Sequence, residues 1–174
     1  MRLPAVLLAS LLLGACVMQQ TYDREHQLNQ QLESELQSDQ VQIQQLKDRL
    51  RITIEDSILY PSGRADLSRE GRALLDKLAP TLQQATDHRI EVEGYTDDVP
   101  VGHHLKGKYK TNWELSSARA AGVVEYLQRK GIDPSRMTAA GHGQYQPEGD
   151  NSTASGRAEN RRIDIDLVPI YTQN

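Results

Sequence analysis

The chain of 174 residues has no phenylalanine, one tryptophan and one cysteine. With a single thiol no internal disulfide can form, and paired-cysteine metal or redox motifs are excluded. The shortage of large aromatics argues against a wide aromatic ligand groove. Basic residues form no extended block and the formal net charge is −4, so no nucleic-acid partner is expected. The one long apolar run, LPAVLLASLLLGA, is shorter than the roughly 20 residues a mature membrane span needs. Glycine and proline are both missing from Val17 to Tyr60, which removes the usual helix breakers from that stretch.

What is present begins with a leader. Met1-Arg2 supplies a positive start and the apolar run follows, so residues 1–15 read as a secretory signal peptide. The run ends in Leu13-Gly14-Ala15-Cys16, which resembles the bacterial lipobox. That resemblance implies a diacylglycerol on the Cys16 thiol, with acyl chains such as palmitate anchoring the protein stably in a membrane. An ordinary signal peptide with a stray cysteine is the alternative. Val17 replaces the aspartate of the enteric-type inner-membrane retention signal, which points to the periplasmic face of the outer membrane.

Residues 16–50 are glutamine-rich and read as a helical spacer. Tyr22, Asn29, Leu36, Ile43 and Leu50 fall at heptad a positions, with Glu25, Leu32, Asp39 and Leu46 at d. Two polar d positions make any coiled coil weak, so self-association through residues 22–50 and a solitary polar helix or tether both stay open. A continuous helix to Leu50 would reach about 50 Å at 1.5 Å per residue.

From residue 51 the hydrophobic period changes. RITIEDSILY is a β-type run closed by the turn PSGRAD. Ser68 can cap a helix bearing Leu74, Leu75, Leu78 and Leu82, which Pro80 should kink or shorten. RIEVEGY alternates as a half-buried strand, and a polar loop over 97–111 leads to the helix NWELSSARAAGVVEYLQRKG. IDPSRMTAAG reads as a turn and short strand, GHGQYQPEGDNSTASGRAEN as a loop, and RRIDIDLVPI as a final strand. The order β-α-β-α-β-β predicts an α+β domain over 51–170, with two main helices on a mixed sheet and a tail at 171–174.

One residue breaks the pattern. At about 100° per residue, Arg119 lies in the apolar stripe formed by Leu115, Gly122, Val123, Tyr126 and Leu127. A buried guanidinium requires a partner. The sequence offers Asp97, just past a strand end, or the carboxylate of a ligand near the helix N-terminus. On periodicity alone, a structural Asp97–Arg119 ion pair and a ligand site both remain open.

The blocks IEVEGYTD, NWELSSARAAGVVEYL, GHGQYQP and ENRRIDIDL, in that order, resemble the OmpA-like peptidoglycan-binding domain shared with MotB-type and Pal-type proteins. The likeness covers about 51–170. It implies that Asp97 and Arg119 hold the diaminopimelate residue of the peptidoglycan stem, with Asn112, Thr96, Leu115 and Arg161 around them, within the motifs TD, NWELS and Asn160-Arg161-Arg162. Diaminopimelate ends in an ammonium and a carboxylate, which suit an aspartate and an arginine. The family's GHTD is GYTD here, so Tyr95 stands in place of a histidine. The implied role is to tether the outer membrane, or an envelope assembly, to the wall. Partners would be peptidoglycan, the membrane through Cys16, and envelope-complex proteins.

Rival functions have less support. Cys16 is committed to lipid, no GxSxG elbow occurs, and the five histidines lack metal-ligand spacing, so neither an enzyme nor a cofactor or metal is expected. The loop histidines and lysines at 103, 104, 106, 108 and 110 read as a solvated surface. An ion-driven stator would need a retained membrane helix carrying an acid. An accessory subunit of a motility or secretion complex is the closer alternative.

Overall fold

Two periodicities, apolar residues every second position and every third or fourth, divide this chain between a sheet and the helices that cover it. The computed structural model describes residues 26–34, 36 and 41–170. Among these residues five strands form one mixed sheet: β1 (Val41–Gln45), β2 (Leu50–Glu55), β3 (His88–Tyr95), β4 (Met137–Gly143) and β5 (Arg162–Pro169). Their spatial order is β1-β2-β5-β3-β4. Only β3 and β4 run parallel. The helices are α1 (26–34), α2 (Asp56–Leu59), α3 (Arg69–Gln84), α4 (Asn112–Arg129) and α5 (Ala154–Asn160).

Register explains the core. Ile52 pairs with Ile165, which pairs with Val92, and Leu50, Leu167 and Ile90 form the next row. These rows are buried with Leu75, Leu78 and Leu82 of α3 and Ala120, Val123 and Leu127 of α4. The expected α+β class, two main helices on a mixed sheet, is therefore what forms, with β1, α2 and α5 added to the expected order. Ser68 accepts from the Gly71 N–H as the α3 cap, and the helix continues past Pro80 to Gln84.

On the opposite face Asp164 and Asp166 are fully buried. Arg51 grips Asp166 through two bonds, 2.8 and 2.6 Å, and Arg49 adds a third at 3.0 Å. Thr53 donates to Asp164 at 2.8 Å. Burial raises the Asp164 carboxyl above its ordinary range, opposed by Arg162, Thr53 and Arg51. Such charge-assisted bonds let β5 carry acids on a buried face.

The helical spacer to Leu50 is corrected. Among the described residues the helix covers 26–34, and Val41–Gln45 is an edge strand antiparallel to β2. Leu32, Leu36, Val41 and Leu50 are buried in the domain's own core, so they are not free to make a coiled-coil seam. The physical reason lies in VQIQQ, whose period-two alternation suits a strand. The stretch before β5 is likewise more than a loop, since Thr153 caps α5 by accepting from Gly156 N–H. Residues 1–25, including Cys16, and the tail 171–174 lie outside the described residues.

Candidate functional site

Because β5 lies between β2 and β3 and runs opposite to both, its start meets their ends. Glu55 pairs with Arg162, and Gly94 with Ile163. Asp56, Thr96, Asp97 and Arg161 thus arrive at one edge of the sheet. The first turns of α4 close over it. Thr111 caps this helix by accepting from Glu114 N–H at 3.2 Å, while Glu114 reaches back to Lys110 N–H at 2.7 Å. The approach is close because two glycines face the helix: a Cβ on Gly94 would collide with the Ser116 carbonyl, and one on Gly141 with the Ser117 backbone.

The result is a cleft of about 650 Å³ whose lining includes Asp56, Tyr60, Thr96, Asp97, Asn112, Leu115, Arg119, Arg157 and Arg161. Residues 99–102 of the loop add a wall, so part of that loop is cleft rather than solvated surface. The six residues singled out from the sequence for this site all border this one space.

Their pairing differs from the expectation. Arg119, 6% exposed, does not pair with Asp97. Its Nη1 lies 2.9 Å from Asp56 Oδ1 and its Nη2 donates to the Arg64 carbonyl at 2.9 Å. The guanidinium sits 4.7 Å from the centre of the Tyr60 ring, whose hydroxyl donates to the Arg119 carbonyl at 2.9 Å. The buried Arg119 Nε–H has no hydrogen-bond partner among the described residues. Asp97 instead accepts from Arg161 Nη1 at 2.6 Å and from Val99 N–H at 3.2 Å. The reason is topological: Asp97 and Arg161 leave adjacent strands, whereas Arg119 lies two turns into α4 and meets the end of β2.

The remaining members hold this frame. Asn112 Nδ2 lies 2.8 Å from Gln144 Oε1, 3.1 Å from the Val99 carbonyl and 3.2 Å from that of Asp97. The Thr96 hydroxyl donates to the Asp97 carbonyl at 2.9 Å. Leu115 supplies an apolar wall. Burial raises the Asp56 carboxyl above its ordinary range, against the pull of Arg119 and Arg161. In the run Asn160-Arg161-Arg162, only Arg161 borders the cleft. Asn160 accepts from Glu148 and Gly149 N–H and orders the loop before it. Arg162 lies over the Tyr95 ring at 3.8 Å, and Tyr95 stacks on His142 at 4.8 Å.

Sequence reasoning missed Asp56 and Arg157. Asp56 had a legible signal: Leu50, Ile52 and Ile54 point inward, and period two puts Asp56 next in that row. Arg157, which donates to the Asn151 carbonyl at 2.7 Å, had none.

The OmpA family profile matches residues 59–161. Motility protein B of Bacillus subtilis is 31% identical over 75% of this chain and 49% of its own length. The probable lipoprotein YiaD of Escherichia coli is 34% identical over 71% of this chain and 53% of its own. The chain therefore spans about half the length of these curated relatives. The solved cell wall anchor of the T6SS from Pseudomonas aeruginosa superposes with a TM-score of 0.74 at 31% identity, covering 82% of this chain and 96% of that one.

Proposed function

The chain belongs to the OmpA family, and from that premise we propose that its cleft binds the free amino-acid head of diaminopimelate in the peptide stem of peptidoglycan. The observation that carries this reading is the Arg119 guanidinium, buried at the cleft with an Nε–H that no group among the described residues satisfies. An unmet buried donor is costly, and an incoming carboxylate removes the cost. Asp97 takes the ligand's ammonium, exchanging part of its bond to Arg161. Arg161 then shares the ligand's negative end. Thr96 and Asn112 fix the Asp97 backbone, and Leu115 packs against the ligand's methylene chain.

No covalent chemistry is needed for such a site; it is a non-covalent anchor, not an enzyme. With a lipid on Cys16, the whole protein tethers the outer membrane to the wall. A second reading, an anchoring subunit of a motility or secretion complex, is favoured by the likeness to motility protein B and to the T6SS anchor.

The test is calorimetric titration with a stem peptide carrying diaminopimelate, and with the same peptide carrying lysine, which lacks the second carboxylate. Wild type should bind the first and lose at least about 30-fold on the second, since truncating one partner of a desolvated charge pair costs about 2–5 kcal/mol. Arg119→Lys keeps the charge but loses the forked geometry, so it should bind poorly while folded. Wild-type affinity in folded Arg119→Lys and Asp97→Asn alike would place the site elsewhere.

A further inference from the structure

Trp113 and Tyr145 are 47% and 63% exposed. Together with Val99 and Ile170 they are the large hydrophobic side chains left exposed among the described residues. Trp113 and Tyr145 are not scattered. Their rings stack on one another, 5.1 Å apart and 24° from parallel. Trp113 rests on the Gly143 backbone, where an added Cβ would stand 3.6 Å from its Cδ2. Tyr145 follows in the same loop. Two large rings are thus braced in the solvent, where neither contributes much to the core.

Their place is set by the cleft. Asn112 and Gln144, joined by a 2.8 Å bond, are the chain neighbours of Trp113 and Tyr145. The same Asn112 side chain lies 3.1 Å from the carbonyl of Val99 on the cleft wall. The aromatic pair is therefore the outer continuation of the cleft rim. Polar side chains flank Tyr145 in the chain: Gln144, held by Asn112, and the exposed Gln146, whose Nε2 lies 3.2 Å from His142.

We infer that this shelf receives a pyranose ring of the glycan strand, as a second subsite beside the peptide-binding cleft, an inference that rests on the peptidoglycan reading above. A sugar presents an axial C–H face to an aromatic plane and hydroxyl or acetamido groups to polar neighbours, which is the composition found here. A protein partner fits less well: an interface covers about 800 Å² per side with an apolar core, and two rings amid polar groups fall well short. Covalent geometry favours the sugar as well. The stem joins the glycan through a short link and two residues, so a stem held in the cleft by the far end of its diaminopimelate keeps its amino sugar within roughly 20 Å, at about 3.3–3.6 Å per residue-length unit.

Trp113 is the chain's only tryptophan, so its emission reports on the shelf alone. The full chain should be titrated with a bare diaminopimelate stem peptide and with the same stem bearing its disaccharide. The sugar-bearing ligand should shift the emission and bind about tenfold tighter, while the bare stem leaves the emission unchanged. Trp113→Ala and Tyr145→Ala, read by calorimetry, should lower disaccharide-peptide affinity to that of the bare stem and leave bare-stem affinity as it was. Equal affinity of wild type for the two ligands overturns the subsite and leaves a protein as the occupant. An equal fall for both ligands in the variants overturns it too, marking the rings as a brace for the cleft. Failure of wild type to bind either ligand sinks the peptide reading and the shelf with it.

Discussion

Arg119 is held by three unlike partners at once: a carboxylate, a carbonyl and an aromatic face. Only the carboxylate cancels its charge, so Asp56 is the residue on which the guanidinium's burial depends. Asp56→Asn should lower stability by about 2–3 kcal/mol, somewhat below the usual loss for breaking a buried pair because the carboxylate side chain is 14% exposed. In that variant the carboxylate of the proposed ligand would be the counter-charge that Arg119 lacks. Stem peptide should therefore raise the melting temperature more in Asp56→Asn than in wild type, as thermal denaturation with and without peptide would read. Equal shifts would mean that ligand and Asp56 do not share Arg119. The inward Arg was legible because helical periodicity exposes a charge in an apolar stripe. Its true partner was not, because pairing depends on which strand ends are neighbours, and the antiparallel insertion of β5 between β2 and β3 is a long-range fact.

At the level of elements, the site exists because α4 lies directly on β3 and β4. Gly94→Ala would force the helix away from the Ser116 contact, at about 1–3 kcal/mol for overpacking, and would carry Asn112 and Arg119 with it. Urea denaturation should show the loss, and peptide titration should show weaker binding. Gly122→Ala, in the same helix, meets nothing within 4 Å and should stabilise by about 0.5–1 kcal/mol with binding intact. Destabilisation by both, or by neither, would contradict this account of the contact. The main helices and the alternating strands were readable from period alone. β1 was not, because Ile43 satisfies a heptad as well as a strand and only pairing with Ile52 decides between them. α5 was hidden for another reason: seven residues capped by Thr153 carry no apolar stripe to reveal it.

For the whole molecule, the domain begins earlier than the change of period at residue 51 suggests. A fragment of 51–170 lacks Leu32, Leu36, Val41 and Leu50, all buried, and bares the edge of β2. Each such loss is worth about 2–5 kcal/mol, against a typical total of about 5–15 kcal/mol. A fragment of 26–170 should melt cooperatively, while 51–170 should be unfolded or aggregate through its open edge. Matching melting curves would show that the N-terminal segment is dispensable. The docking of α1, with Leu32 fully buried in the domain core and Gln31 donating to Thr81 at 3.2 Å, also has a mechanical consequence. A load on the chain ahead of α1 passes into the core through packed side chains, so tension that strips α1 from α3 uncovers Leu32 before it reaches the sheet that carries the cleft.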